Sequence, residues 1–277
     1  MTPIAGITSE KALTDSPLSP AHFDMGGVKC STHTIPQLLD EIRFLMDSPA
    51  IQPRTLLCLN AHIYNLAQED GDLRESLNNA RIVAADGMGV VWLARLWRTE
   101  VAERCNMTEA FRAFFTSTAF RKNEGILIGV SREEARAAAT VIERSSTHCR
   151  IRKAYSGYLR DEEYDELFRT MASVDLIYVG MGTPRTERIC AIARARCPHA
   201  IVWGIGAGTI RILAGTMHEA PPFMRRMGLQ WLHRLWREPT RLWTRYLFGN
   251  PRFIYRILKT ARQARRTLAQ QSALPRS

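Results

Sequence analysis

The sequence predicts a Rossmann-like α/β fold, with a mostly parallel β-sheet covered by helices on both faces, followed by a basic, amphipathic helical appendage. Three observations lead to this prediction. Short, unbroken apolar runs alternate with stretches of helical periodicity. Several of these runs end in glycine or in a polar residue, as strands do where they leave a sheet. The positive charge is concentrated near the C-terminal end of the chain.

The distribution of charge and composition suggests three parts. Thirteen of the 38 arginines and lysines lie from Pro221 to Ser277, where Glu238 is the single acidic residue. The net charge of +11 therefore belongs to this part of the chain. The first residues are rich in Ser, Thr, Pro and Ala and show no period. We predict a flexible leader over 1–27, an α/β domain over 28–215 and the appendage over 216–277.

The first predicted elements lead to a polar strand end. A helix starts at Thr34 with proline in its first turn, and a buried strand over 55–59 ends at Asn60. One helix is expected from about His62 to Asn78. The next strand ends at Asp86, and the chain then turns into another helix.

Asp86 is the first candidate functional residue. Ligands of open α/β sheets are held where strands hand over to helices, so Asp86 is expected at the mouth of a cleft. The alternative is that Asp86-Gly87 only forms a turn, with Asp86 capping the following helix.

The remainder of the α/β domain continues the alternation of strands and helices. Further strands are expected at 125–130, 151–155, 175–182 and 200–206. The helices between and before them are expected at 89–97, 107–119, 132–145, 161–171 and 184–196. Their unbroken apolar character is typical of strands that are buried on both faces.

In the appendage we predict three amphipathic helices. They cover 228–236, restart at Pro239, and restart again after Gly249-Asn250-Pro251. Arginines alternate with tryptophan and other apolar residues, which is typical of a helix in a membrane interface. An ordinary helical cap with a basic face is the simpler alternative. A third is an arm that binds RNA or DNA.

The sequence argues against several kinds of site. Both late glycine turns lack the third glycine of a dinucleotide fingerprint, since Arg185 and Thr209 stand there. Their backbone amides still suit a phosphate. Asp70-Gly-Asp72 matches a metal-binding pattern of glycosyltransferases, but it lies in a polar stretch after a helix and is expected to be a solvated turn. Six scattered cysteines, with no zinc spacing and no signal peptide, indicate a reducing cytoplasm.

Several motifs in fixed order resemble the WecG/TagA/CpsF glycosyltransferases from about residue 25 to 250. The motifs are Asn60-Ala-His, Ala85-Asp86-Gly87, Glu103-Arg104, Gly157-Tyr158, Gly180-Met-Gly-Thr-Pro-Arg-Thr-Glu187, Ala214-Gly215, Ala220-Pro221, Gly228-Leu-Gln-Trp-Leu-His-Arg234, Glu238-Pro-Thr-Arg241 and Arg245-Tyr246. The resemblance implies a metal-independent, cofactor-free, inverting transfer from a UDP-sugar to a polyprenyl-diphosphate-linked sugar, in the biosynthesis of a cell-surface polysaccharide or exopolysaccharide.

The resemblance also implies roles for individual residues. Asp86 falls on the family's general base and Asn60 on its conserved asparagine. The implied substrate-binding residues are Cys58, Arg104, Glu109, Gly180, Gly182, Thr183, Thr186, Glu187, Gly206, Arg234, Arg241 and Arg245. The appendage is expected to contact an anionic membrane surface on the inner face of the cell membrane and to supply arginines. Nucleic acid is not an expected partner, and the resemblance hints at a homo-oligomer.

Five positions depart from the family pattern. Cys58 replaces a usual threonine, Met107 a glycine, Glu109 an aspartate, Thr186 a glutamine and Glu219 an arginine. Since they fall at expected pocket positions, they leave open which donor and acceptor are used. They also leave open a catalytically altered family member that acts as an assembly partner.

Overall fold

The computed structural model describes residues 22–48, 51–96, 103–171 and 173–272. The strands in these stretches are β1 (His22–Asp24), β2 (Lys29–Ser31), β3 (Thr55–Leu59), β4 (Ile82–Ala85), β5 (Asn123–Ile128), β6 (Cys149–Tyr155), β7 (Leu176–Val179) and β8 (Ile201–Gly204). The helices are α1 (Ile35–Asp47), α2 (Ala61–Ala67), α3 (Gly71–Asn78), α4 (Met88–Leu96), α5 (Met107–Thr116), α6 (Arg132–Ser145), α7 (Asp161–Arg169), α8 (Arg185–Arg196), α9 (Ala207–Leu213), α10 (Pro222–Arg226), α11 (Gln230–Arg237), α12 (Pro239–Leu247) and α13 (Gly249–Ser272).

One sheet holds all of these strands, in the order β1-β2-β4-β3-β8-β7-β5-β6. Only β1 runs antiparallel to its neighbour, so the predicted mostly parallel α/β fold is confirmed. Adjacent residues such as Leu56 and Leu57 point into separate cores on opposite faces. This explains the unbroken apolar runs, because a strand covered on both faces has no solvent-facing side chains.

The centre of the sheet brings two polar strand ends together. In the β3–β4 pair, Leu59 lies opposite Ala85, and the Asp86 amide donates to the Leu59 carbonyl over 2.9 Å. Asn60 and Asp86 therefore leave neighbouring strands side by side. Beyond β3 the sheet continues into β8, so the order of the strands reverses at this point. Such a reversal opens a crevice at the carboxyl ends of the strands.

The end of the predicted leader is structured, which corrects its boundary at residue 27. Residues 22–24 pair with 29–31 in a hairpin, and the Met25 side chain in its turn is completely buried. Residues 1–21 lie outside the described part of the chain. Strands of three residues are too short to show a periodic pattern, which explains why both were missed.

The single helix predicted from His62 to Asn78 is two helices. Asp70 ends the connection after α2 and caps α3, since its Oδ1 accepts a hydrogen bond of 3.0 Å from the Leu73 amide. Asp-Gly is therefore a helix start here and not a solvated turn. The short helices α9 and α10 were also not predicted.

The C-terminal part contains α11, α12 and α13, which begin at Gln230, Pro239 and Gly249, and α13 is 24 residues long. The last helix packs onto α2. Phe253 and Ile257 belong to one of the two cores, and the Phe253 ring lies 5.2 Å from that of Tyr64. Arg256 donates to the Asn65 carbonyl over 2.7 Å. These contacts attach α13 to the α/β unit, while the domain boundary at 215/216 stays a prediction.

None of the helices in the described ranges combines the length and the apolar character needed to cross a bilayer.

Candidate functional site

A cleft of about 680 Å³ opens at the carboxyl ends of β3, β4, β7 and β8, beneath α11 to α13. It brings together most of the residues that the sequence singled out. Those that line it are Cys58, Asn60, Asp86, Arg104, Gly182, Thr183, Thr186, Glu187, Gly206, Arg234 and Arg245. Residues from the α/β unit and from α11 and α12 therefore meet at one site.

Three candidates take other positions. Gly180 packs the end of β7 against that of β8, since a Cβ on it would lie 2.8 Å from the Gly206 carbonyl oxygen. Glu109 approaches Arg104 at 3.5 Å and Arg225 at 3.7 Å. Arg241 lies on α12, with its side chain outside the described part of the structure.

Asp86 is partly accessible from the cleft at the end of β4. The Asn106 amide donates to its Oδ1 over 2.8 Å, and the Met107 backbone supplies a second hydrogen bond. Burial raises the pKa of the Asp86 carboxyl to about 6, against the opposing effect of Arg104 and Arg234. These hydrogen bonds connect Asp86 to α5 and not to α4, where the capping alternative placed it.

Asn106 is a site residue that the sequence analysis missed. Its Oδ1 caps α5 by accepting from the Glu109 amide over 3.0 Å, while its amide group holds Asp86. Asparagine followed three residues later by glutamate is a helix-start pattern that could have been noticed. Asn106 therefore fixes the carboxylate on a rigid helix end.

Asn60 has one part of its side chain committed to the fold. Its Oδ1 accepts from the His62 and Ile63 amides at 3.0 and 3.1 Å, which caps α2. The side-chain amide group is then what Asn60 can offer to a ligand in the cleft.

Four arginines line the cleft, Arg211 and the three that the sequence analysis named. Arg104 donates to the Gln230 side chain on α11 over 3.0 Å, which ties the appendage to the α/β unit. Arg234 lies against the start of α9, since a Cβ on Gly208 would lie 3.2 Å from its Nη2. Arg245 lies 5.8 Å from the Tyr246 ring centroid. Together they give the cleft a positive wall, as a diphosphate requires.

The departure at Glu219 is matched by arginines around it. Glu219 pairs with Arg112 at 3.1 Å and with Arg225 at 3.0 Å. Arg225 also approaches Glu109, which in turn approaches Arg104. Two of the unusual residues, Glu109 and Glu219, thus belong to one chain of ion pairs between α5 and the start of the appendage.

Two of the other departures, Cys58 and Thr186, contribute to the floor and to a turn of the cleft. Burial raises the pKa of the Cys58 thiol well above its usual range, helped by the charges of Asp86 and Glu187. Cys58 is therefore a neutral group on the cleft floor. The Thr186 hydroxyl accepts from the amides of Met181 and Gly182 at 3.0 Å each, which closes the glycine turn after β7.

Among the described residues, no group of three or more His, Cys, Asp or Glu side chains could hold a metal ion. Asp70 serves as the cap of α3 and does not line the cleft.

Comparisons with known proteins identify a family and several relatives of this chain. The model of the family described as Glycosyl transferase WecG/TagA/CpsF family matches residues 23–267. The chain is similar to an N-acetylglucosaminyldiphosphoundecaprenol N-acetyl-beta-D-mannosaminyltransferase of Bacillus subtilis (strain 168), with 26% identity over 73% of this chain and 77% of that protein. It is also similar to a protein of the same name from Staphylococcus aureus (strain MW2), with 24% identity over 89% of this chain and 96% of that protein.

Proposed function

The chain belongs to the WecG/TagA/CpsF glycosyltransferase family, and on this basis we propose that it transfers a sugar from a UDP-sugar to a polyprenyl-diphosphate-linked sugar with inversion. The names of the relatives favour an N-acetylmannosaminyl donor and an N-acetylglucosaminyl acceptor. The observation that supports this best is the position of Asp86, an accessible carboxyl facing a cleft lined by arginines.

Asp86 is proposed as the general base. Hydrogen bonds from Asn106 and the Met107 backbone hold its carboxyl at the edge of the cleft, where it is placed to take the proton of an attacking acceptor hydroxyl. Burial has raised its pKa to about 6, which makes it a stronger base than a solvated aspartate while leaving it mostly ionised at pH 7. An inverting displacement needs this single base on one side of the anomeric carbon.

The arginines are proposed to stabilise the departing diphosphate. Charge develops on the leaving group as the glycosidic bond breaks, and fixed cationic donors lower the barrier. Arg104, Arg234 and Arg245 line the cleft, and the sequence adds Arg241. No step of this proposal needs a metal ion.

The acceptor in this proposal is a lipid, and the appendage is proposed to bring the site to the inner face of the cell membrane. Large apolar side chains are exposed on its helices: Trp231, Leu232, Trp236, Trp243, Leu247, Phe248, Ile254, Tyr255 and Leu258. Arg237 and Arg252 are exposed among them. Aromatic and basic residues together are typical of a surface that binds anionic lipid.

We expect the double variant W236S/F248S to lose at least about tenfold in affinity for anionic vesicles, because burying each ring in lipid contributes about 1.5–3 kcal/mol. Trp236 is 82% and Phe248 65% exposed, so the fold should persist. Vesicle sedimentation measures the change. Truncation near Gly215 is a poorer test, because it would remove Phe253 and Ile257 from the core.

The matched control is V141S, an exposed apolar residue on α6. Equal sedimentation of the double variant and the control would contradict the membrane proposal. Binding of RNA at the same salt concentration, lost in the double variant together with or instead of vesicle binding, would support the nucleic-acid alternative.

The function itself is tested by transfer from UDP-N-acetylmannosamine to polyprenyl-diphosphate-linked N-acetylglucosamine. We expect product to form at the same rate with and without EDTA, since arginines line the cleft where a diphosphate would lie. Loss of transfer in EDTA with rescue by magnesium or manganese would contradict the metal-independent proposal.

The departures from the family pattern support one alternative, a catalytically altered member that acts as an assembly partner. In that case the protein would bind UDP without transferring sugar from any donor of a UDP-sugar panel. A homo-oligomer stays a prediction, tested by the mass of the protein in solution.

A further inference from the structure

Glu187 has a carboxyl oxygen that the fold leaves without a partner. The residue lies in the first turn of α8 on the cleft wall and is only 3% exposed. Its Oε1 accepts a hydrogen bond of 2.9 Å from the Thr183 hydroxyl. Its Oε2 is buried and has no hydrogen-bond partner in the described structure. Leaving such an oxygen unsatisfied is costly, so a ligand in the cleft is the natural partner.

The carboxyl of Glu187 is suited to act as a hydrogen-bond donor. Burial raises its pKa to about 7, against the opposing hydrogen bonds from its own backbone amide and from Thr183. Because the Thr183 hydroxyl already donates to Oε1, the acid proton belongs on Oε2. A protonated Glu187 therefore carries on the cleft wall one O–H group to which the fold gives no acceptor, and its lone pairs still accept.

The hydroxyl of Thr186, the residue before Glu187, is used within the fold and does not serve as a ligand group in the cleft. The resemblance places a glutamine at this position, whereas the Thr186 hydroxyl is taken up by the amides of Met181 and Gly182. Threonine is also two bonds shorter in reach than glutamine. At the start of α8, Glu187 is therefore the polar side chain that remains for a contact with a ligand in the cleft.

The position of Glu187 relates it to the transferred sugar. Glu187 and Asp86 both lie close enough to Cys58 for their charges to raise the pKa of its thiol. A donor with its anomeric carbon near Asp86 and its diphosphate at the arginines places its ring over this part of the floor. We propose that Glu187 donates a hydrogen bond to an uncharged acceptor of that sugar, such as the carbonyl oxygen of an acetamido group, and so determines donor specificity. This inference rests on the proposed function.

Affinities for UDP and for UDP-N-acetylmannosamine separate the sugar contact from the nucleotide contact. We expect E187A to bind the UDP-sugar about tenfold more weakly, as the loss of a hydrogen bond implies, with UDP affinity unchanged. E187Q keeps a donor and an acceptor and should bind the UDP-sugar nearly as well as the wild type. Titration calorimetry without acceptor measures both.

The pH dependence gives a second readout that a purely structural role would not produce. As pH rises through about 7, Glu187 loses its proton, so the affinity of the wild type for the UDP-sugar should fall. E187Q has no such proton and should show a flat profile. The titratable or charged groups that face Glu187 or line the same cleft are Cys58 on β3, His62 on α2, Asp86 after β4, Arg104 before α5, Tyr158 after β6, Cys190 on α8, Arg211 on α9, Arg234 on α11, and Arg245 and Tyr246 on α12.

The profile is measured in the D86N background, which removes the titration of the neighbouring carboxyl. Equal losses of UDP and UDP-sugar affinity in E187A would overturn the sugar contact in favour of a nucleotide contact. Unchanged affinities in E187A, or identical pH profiles of wild type and E187Q, would also overturn it. If E187A does not fold, the E187Q profile decides. Failure of the wild type to bind UDP at all would reject the proposed function itself.

Discussion

Replacing Asp86 with asparagine is expected to reduce the rate of sugar transfer by about two to four orders of magnitude, the usual contribution of a general base. Asparagine has the same size and can still accept the hydrogen bond from Asn106. It cannot take a proton from the acceptor hydroxyl. Single-turnover transfer measures the loss, and the affinity for UDP should change little because the arginines remain in place.

A disrupted turn would lower the melting temperature of D86N, whereas we expect that temperature to stay the same or to rise. The pKa of Asp86 is raised from 3.8 to about 6 in the fold, so ionising it there opposes folding. The free energy of unfolding of the wild type therefore falls as pH rises between these values and stays lower above them. D86N lacks this cost, and above pH 6 it should melt at the same or a higher temperature.

The pH dependence of the wild-type rate follows from the same carboxyl. Because the base must be ionised, transfer should rise with pH through about 6, and D86N should show no such limb. The control is D70N, the same chemical change at the cap of α3 outside the cleft. Asparagine caps a helix as well as aspartate, so D70N should keep its rate and its melting temperature. Wild-type turnover by folded D86N would remove Asp86 as the base.

The central sheet was predictable because burial on both faces leaves a plain sequence pattern. The runs at Thr55–Leu59 and Ile201–Gly204 contain almost no polar residues, and their glycine or asparagine ends mark where they stop. The N-terminal hairpin was not predictable in this way. Its three-residue strands are held by the pairing of Ser31 with Ala84 on β4 and by the burial of Met25, and such contacts with distant parts of the chain leave no local pattern.

The site was predictable to the extent that single residues mark strand ends. Asp86 could be placed at a cleft from its position after β4 alone, whereas the family resemblance was needed for Arg234. Asn106 could be predicted as a helix cap, but its hydrogen bond to Asp86 could not, because that bond depends on how α5 packs against the end of β4. The free oxygen of Glu187 was not predictable either, because it depends on how the side chains around it pack. The role of Glu219 was equally hidden, since its partner Arg112 lies more than a hundred residues away in the chain.

Replacing Arg234 with glutamine is expected to lower the transfer rate by about two to three orders of magnitude, as the loss of one fixed donor to a developing charge does. Arg234 lines the cleft, lies against the start of α9 at Gly208, and acts on the carboxyl of Asp86. Glutamine keeps some hydrogen bonding but no charge. Lysine should restore only part of the rate, because it cannot contact a diphosphate through two parallel N–H groups.

R234Q also makes a prediction about pH that a folding defect would not reproduce. The positive charge of Arg234 lowers the pKa of Asp86, so its removal should raise that pKa above about 6. The acid limb of the rate profile then moves to higher pH, in addition to the loss of rate. The matched control is R237Q, an exposed arginine on the same helix that does not line the cleft. It removes the same charge from the appendage. Measured in solution with a short-chain acceptor and no membrane, where the proposed lipid contact of Arg237 is not needed, its rate and acid limb should both stay at the wild-type values. Equal rates in R234Q and R237Q would show that Arg234 does not act on the leaving group. An unshifted acid limb in R234Q would show that the charge of Arg234 does not lower the pKa of Asp86.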